Sequence, residues 1–329
     1  MSILSNTDIF FLENFSLTSE ICDSCTFQIN NDEFIPNSSE KDVILTSAFN
    51  KLTNLPTFIR TLRHTGCRAR VVIICNNIVF ESYSKRYFSY MKNCGIQFIN
   101  IGPTNPPNSL GVYFMRHLLF YDFLVSNKEK INRVIVIDLF DTAFQRDPFT
   151  TFFKNNQVYF NSEIVTIENN LMFNRLIRET IPIAKKMLPH LSNKIKSHES
   201  MLHYPLINGG FQSGGIEEMI ELYRVMKDIG YASNYSAYGD DQAFLNIFVH
   251  SKIFDTHFNY SFDENSIGSS IIAYGFTNKR AFESESFGNY YFLSKVPAIL
   301  HQYDRFNNII ISIDNFCPNT PYLKDYMRI

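Results

Sequence analysis

The stretch "RVIVIDLFDTAFQRDPF", residues 133–149, decides how the rest of the chain is read. An apolar run from Val134 to Ile137 stops on Asp138, with Asp141 three residues later and Asp147 just before Pro148. Carboxylates repel one another and cost free energy to desolvate, so they gather at a strand end when something positive holds them there. On an extended chain, positions three apart face opposite sides. Asp138 and Asp141 therefore share a site only if the backbone turns at Leu139–Phe140. Two carboxylates on one side of a turn suit a hard divalent cation, Mg²⁺ or Mn²⁺, that also takes phosphate oxygens. On its own, D-x-x-D reads equally well as a turn residue beside an exposed acid.

Outward from this stretch the chain alternates element types. "DVILTSAF" (42–49), "ARVVIIC" (69–75) and "IQFINI" (96–101) read as buried strands. Between them, "LPTFIRTLRHTG" (55–66) and "FESYSKRYFSYMKNCG" (80–95) read as helices closed by Gly66 and Gly95. "SLGVYFMRHLLFYDFLVSN" (109–127), with apolar residues three and four apart, is a helix leading into the opening strand. Strand–helix alternation requires right-handed crossovers and a mostly parallel sheet with helices on both faces, an α/β fold of Rossmann-like type. Residues 150–205 carry no clear strand pattern, and Pro182 and Pro189 are expected to break the helical run near 171–188. Helices are expected over 215–231 and 239–251, and "VPAILHQYDRF" (296–306) reads as a short strand running into polar residues. The expected organisation is an amino-terminal arm or cap (1–40), one nucleotide-binding domain (41–310) with an acceptor-side insertion at 150–205, and a carboxyl-terminal tail (311–329).

The formal net charge is −2, with 30 Lys+Arg against 32 Asp+Glu, so there is no basic excess to hold nucleic acid. Six cysteines are few for a disulfide framework in 329 residues. Cys22 and Cys25 form a C-x-x-C without the second pair or the histidines that zinc wants, and they read as ordinary thiols near a loose amino terminus. Cys67, Cys75 and Cys94 sit in or near apolar segments and read as small core hydrophobes. The chain shows neither a basic, apolar leader nor 18 consecutive apolar residues, so no membrane span is expected. A cytoplasmic, reducing setting is the expectation, with a Golgi or secretory one the alternative if an anchor has been removed.

Further motifs stand beside the acids. "INGGFQSGG" (207–215) packs glycines around Asn208 and Gln212, which lets a backbone approach a ligand closely. It reads as a loop. "GDDQAFLN" puts Asp240, Asp241 and Gln242 at a helix start, where one acid is expected to cap. "HQYDR" (301–305) gathers an imidazole, a carboxylate and a guanidinium.

Taken in order, "RHLLFYDFL…VIVIDLFD…INGGFQSGG…GDDQAFLN…HQYDR" resembles a glycosyltransferase of the GT-A fold, over about residues 42–306. The order is similar to that of the glycogenin-like and galactosyltransferase-like retaining families, and to uncharacterised glycosyltransferase-like proteins with D-x-x-D and H-Q-Y-D-R motifs. The resemblance implies that Thr46 and Ala48 lie beside the nucleotide base and ribose, and that Arg116 reaches the donor sugar or its phosphates. It implies that Asp138, Asp141 and His301 hold the metal, with Mn²⁺ favoured over Mg²⁺ by the imidazole. Asn208, Gly209 and Gly210 match the donor-sugar loop, and Asp241 and Gln242 the sugar-binding and reacting pair. Two departures stand out. The family's acids are usually two apart, as D-x-D, and here are three apart. Its late H-x-x-G-x-x-K-P-W is replaced by H-Q-Y-D-R, which leaves Asp304 and Arg305 to take over phosphate contact.

The implied activity is metal-dependent transfer of a sugar from a nucleoside diphosphate donor, UDP-linked by family, to a glycan, protein or small-molecule acceptor. A retaining enzyme would set Gln242 or Asp241 against the anomeric carbon, whereas an inverting one would use Asp240 or Asp241 as general base. One alternative is an inactive GT-A-like protein that binds nucleotide-sugar or glycan. The other, a phosphohydrolase of the haloacid dehalogenase type, needs acids two apart and a lysine motif that the chain does not show.

Overall fold

The computed structural model describes residues 10–18, 22–23, 25–29, 35–87, 91, 93–103, 112–151, 153–233, 238–263, 269–271, 282–284, 290–292, 296–305 and 307–318. The chain is α/β, with a mixed, mostly parallel central sheet and helices around it, an architecture compatible with a Rossmann-like fold. Seven strands hydrogen-bond in the order β3-β2-β1-β4-β7-β6-β8. They are β1 (Asp42–Ala48), β2 (Arg70–Cys75), β3 (Ile96–Asn100), β4 (Arg133–Ile137), β6 (Val158–Thr166), β7 (Pro205–Gly215) and β8 (Tyr260–Asp263). The chain divides into two compact, interleaved units. The first is Leu12–Pro103, Val136–Lys154 and Asp263–Ile329, and the second is Met1–Phe11, Thr104–Ile135 and Asn155–Phe262.

In the first unit β1, β2 and β3 are parallel, with Val43 opposite Arg70 and Val71 opposite Ile96. Their interiors are buried apolar runs, as strands covered on both faces require. The β1–β2 crossover carries α1 (Leu55–His64), which has Pro56 at its start, Arg63 and His64 in its last turn, and Gly66 at φ +78° just beyond. These are standard start and stop signals. In the next crossover α2 (Asn77–Tyr83) begins on Asn76, whose side chain accepts from the Val79 amide at 3.2 Å. It starts and ends earlier than its apolar pattern implies. A small sheet joins β5 (Thr142–Phe144) antiparallel to β12 (Ile299–His301), and β12 parallel to β9 (Ser269–Ile271). A two-stranded pair, β10 (Phe282–Ser284) with β11 (Tyr290–Phe292), lies in the same unit.

The cysteine expectation is overturned here. Cys22 is bonded to Cys94 and Cys25 to Cys317, so each thiol of the C-x-x-C leaves for a different, distant partner. Among the described residues before 40, Thr18 donates its amide to the Asn93 carbonyl at 3.0 Å, and Leu17 and Pro36 bridge to Cys94 and Thr150. Cys67 and Cys75 are free and buried, as expected. Residue 311 lies inside helix α8 (Asn307–Phe316), which ends beside Cys317.

The second unit holds α3 (Val112–Ser126), α4 (Leu171–Met187), α5 (His198–Met201), α6 (Ile216–Ser233) and α7 (Asp240–His250); α8 (Asn307–Phe316) belongs to the first. The region in which no strand is expected supplies β6, and the helical run near 171–188 is α4. Pro182 lies inside α4 and does not end it. Asn170 caps that helix, and Phe173, Ile177, Ile181 and Ala184 bury one face, which outweighs the missing backbone donor. The glycine-rich segment is strand, not loop. β7 pairs antiparallel with β6, but Phe160 faces Gln212 while Ser162 faces Ile207, so Asn208–Phe211 bulges out of β7. Between Ser162 and Thr166 the excess lies on β6 instead, at Glu163 to Val165. Among the described residues no helix is long and apolar enough to cross a membrane.

Candidate functional site

In the first unit β4 delivers Asp138, and the backbone bends at Leu139 and turns at Phe140–Asp141, the turn that the acid spacing demands. The turn is pinned from several directions. Thr142 Oγ1 donates to the Asp138 carbonyl at 2.6 Å, and Asn54 Nδ2 to the carbonyls of Leu139 and Thr142 at 3.1 and 3.0 Å. Tyr303 Oη donates to Asn54 Oδ1 at 2.6 Å, so β12's flank holds Asn54 in turn. Register then brings the third group: His301 on β12 lies opposite Thr142 on β5. Its Nε2 stands 3.3 Å from Asp141 Oδ1 and 4.0 Å from Asp138 Oδ2. The imidazole is buried, Asp141 is 15% exposed and Asp138 43%. Burial alone would raise the Asp141 pKa, but the His301 imidazole and then Arg305 outweigh it and hold it below the usual carboxylate range. Asp304 is pushed up by burial and by Asp141, against Arg305, which lies 3.9 Å from it. Gln302 has φ +66°, a costly conformation for a residue with a side chain, and donates its amide to the Asp141 carbonyl at 2.7 Å.

The donor set of two carboxylates and one imidazole fits a divalent cation in chemistry. Its arrangement is not that of a closed site. Among the described residues no group of three or more His, Cys, Asp or Glu side chains is disposed to hold a metal ion. Thr46 and Ala48 are buried within β1. What shows at that strand end is Asn50, exposed, which accepts from Asn76 Nδ2 at 2.9 Å and donates its backbone amide to Asn76 Oδ1 at 3.3 Å.

In the second unit the two bulges meet. Glu163, buried, takes both Asn208 Nδ2 and Gln242 Nε2 on one carboxylate oxygen, each at 3.0 Å. Asn208 Oδ1 accepts from the Gly210 amide at 2.7 Å, which folds the bulge back on itself. Gly209 is required by packing: a Cβ there would lie 2.8 Å from Gln242 Cβ. Asn246 ties α7 to β7, donating to the Ile207 carbonyl at 2.9 Å and accepting the Ile207 amide at 2.8 Å. Arg116, on α3, does not stand ready for phosphate. Its Nη2 donates to Asp241 Oδ2 at 2.7 Å and to the Gly209 carbonyl at 3.1 Å. The N-cap position is Gly239, at φ +88°, and the expected acid acts one turn position further in: Asp241 Oδ1 accepts the Gln242 amide, a free donor of the first turn, at 2.8 Å. Both acids are buried in the first turn, where the helix dipole favours negative charge.

A small pocket is lined by His117, Gly209, Gln212, Tyr223 and Asp241 with apolar neighbours. Tyr223 Oη donates to Gln212 Oε1 at 2.9 Å, and Gln212 Nε2 to the Gly209 carbonyl at 2.9 Å. Burial pushes His117 down to about 4 against the pull of Asp241, 3.9 Å away, so its ring is neutral at pH 7. Glu163, His117, Tyr223 and Asn54 were missed by sequence reasoning. Only the bulge geometry and the strand pairings single them out.

Every predicted site residue but two falls in one of these clusters. Asp138, Asp141, His301 and Arg305 gather in the first unit, and Arg116, Asn208, Gly209, Gly210, Asp241 and Gln242 in the second, with Asp240 buried next to Asp241 at the start of α7. Thr46 and Ala48 remain in the core of β1. No protein-family model matches the chain, and no curated protein matches it.

Proposed function

We propose that the protein is a GT-A-type glycosyltransferase that moves a sugar from a nucleoside diphosphate donor, UDP by preference, with retention. The observation that carries the reading is the meeting of His301 with Asp138 and Asp141 at the turn after β4, across 160 residues or more of sequence. A divalent cation held by these three, Mn²⁺ ahead of Mg²⁺, would neutralise charge on the leaving diphosphate. Arg305, which already acts on Asp141, adds positive charge beside it. Within the second unit Glu163 holds the amides of Asn208 and Gln242, and Arg116 fixes the Asp241 carboxylate. Preorganised groups of this kind act without reorganisation at the moment of reaction.

The test is thermal stability of the purified chain with UDP, GDP, ADP or CMP, each with and without Mn²⁺. A ligand that binds only the folded state raises the melting temperature by mass action. A rise with UDP that requires Mn²⁺ and disappears in Asp138→Ala is expected. No rise with any nucleotide, in folded protein, would sink the reading. The open arrangement of the acids favours a second reading, a protein that binds the donor without transferring the sugar. Mn²⁺-dependent hydrolysis of UDP-sugars separates the two, because only the transferase releases UDP.

A further inference from the structure

We propose that Asn14, Asn37 and Asn259 are acceptors for N-linked glycans, so that this chain matures in an oxidising secretory compartment. Two independent observations lead there. The disulfides Cys22–Cys94 and Cys25–Cys317 join segments 72 and 292 residues apart, and such bonds form and persist where thiols are not kept reduced. The second observation is where acceptor triplets fall. Asn14-Phe15-Ser16, Asn37-Ser38-Ser39 and Asn259-Tyr260-Ser261 each have the form N-x-[ST] with no proline at x. All three asparagines are exposed. Asn54, Asn76, Asn127, Asn161, Asn208 and Asn246 are buried in the core and the polar clusters, and none of them heads such a triplet. A fourth triplet, at Asn234, lies outside the described residues and is not part of the proposal.

The local settings suit modification of a folded or folding chain. Asn14 lies in an irregular segment held at both sides: the Glu13 amide donates to Gln97 Oε1 at 3.2 Å, and Arg70 stacks on the Phe15 ring at 5.0 Å. Asn37 precedes β1, anchored by its own amide on the Phe149 carbonyl at 2.8 Å. Asn259 directly precedes β8, and its carbonyl accepts from Val158 at 2.8 Å. In each case the asparagine is exposed on a segment tied to the fold at it or next to it. Asn14 and Asn37 stand by the ends at which β1, β2 and β3 begin. Glycans there leave the other ends of these strands open.

The chemistry is a glycosyl transfer from a lipid-diphosphate-linked oligosaccharide. The bond between the sugar's anomeric carbon and the phosphate oxygen breaks, a bond from that carbon to Asn Nδ2 forms, Nδ2 loses one proton, and the lipid diphosphate leaves.

The test uses the full chain behind a cleavable secretion leader in a eukaryotic cell, with the same chain made in bacterial cytosol as control. Retained and secreted fractions are both digested with an amidase specific for N-glycans, and the sites are mapped by mass as Asn-to-Asp conversions. Expected are conversions at residues 14, 37 and 259, with one mobility step lost in each of Asn14→Gln, Asn37→Gln and Asn259→Gln. Non-reducing peptide maps should show both disulfides in the same material. Unmodified asparagines in both fractions would overturn the proposal, as would glycans confined to other residues. Thiol labelling gives an arm that does not depend on the leader. If the cytosolic chain folds to the same melting temperature with all six cysteines reactive on denaturation, the disulfides are dispensable and the compartment inference fails.

Discussion

The acid cluster after β4 and the amide cluster between the β6 and β7 bulges are built on opposite plans. Around Asp138 and Asp141 the backbone is tightly tied and His301 pairs with Asp141 at 3.3 Å, but Asp138, 43% exposed, stands 4.0 Å from the imidazole. Around Glu163 the side chains are bonded to one another and buried. The first arrangement leaves charge to be completed by something else. The second is complete as it stands, and its cost would appear in stability if any member were removed. Stability and binding should therefore separate between the two regions.

Acid should strike the second unit hardest. Burial, opposed by Asp241 and aided by Arg116, holds His117 down to about 4 from an ordinary 6.5. Burial, aided by Lys196 and opposed by the bond to the Pro205 carbonyl, does the same to His250. Both stay neutral in the folded chain while the unfolded chain binds protons below 6.5, so stability is full near pH 7 and falls as pH drops toward 4. By pH 5 the expected loss is about 2 kcal/mol per histidine. Urea midpoints at pH 7 and pH 5 measure it, and equal midpoints would show that the rings are not held neutral.

Next in size is Glu163→Ala. It strands two buried amide groups and is expected to lower unfolding stability by about 3 kcal/mol, with Glu163→Gln, which keeps an acceptor oxygen, losing about 1 kcal/mol. A loss under about 0.5 kcal/mol for Glu163→Ala would erase the contrast between the clusters. Gln302→Gly should move the other way, stabilising by about 1 kcal/mol because glycine adopts φ +66° without strain. A destabilised variant would mean that the Gln302 side chain contributes more than its backbone costs. Smallest is Asp138→Ala, expected within about 0.5 kcal/mol of the parent because the side chain is open to solvent. That near-neutrality makes its effect on the nucleotide-dependent melting rise interpretable.

Much of this was legible in the sequence because the signals were local. The runs at 42–49, 69–75 and 96–101 read directly as parallel strands, and an acid ending a buried run forecast a turn at 139–140. What could not be read was set by distant partners. C-x-x-C announces two nearby thiols, but nothing near Cys22 or Cys25 points to Cys94 or Cys317. "INGGFQSGG" looked like a loop because glycine density usually reports backbone freedom. Here glycine serves close approach, with Gly209 against Gln242 and Gly215 against the Asn155 carbonyl. Glu163 stayed hidden because a strand that bulges loses the period-two pattern by which strands are recognised. Pro182 misled because a buried apolar face outweighed one missing donor.

The bond between Cys25 and Cys317 closes residues 25 to 317 into a covalent ring. Mechanically, a pull on the two termini is carried across by that covalent link. The sheet, both site clusters and every segment from residue 26 to residue 316 then lie off the line of force. Stretched end to end, the oxidised chain would yield only its flanks, whereas the reduced chain would unravel through its length.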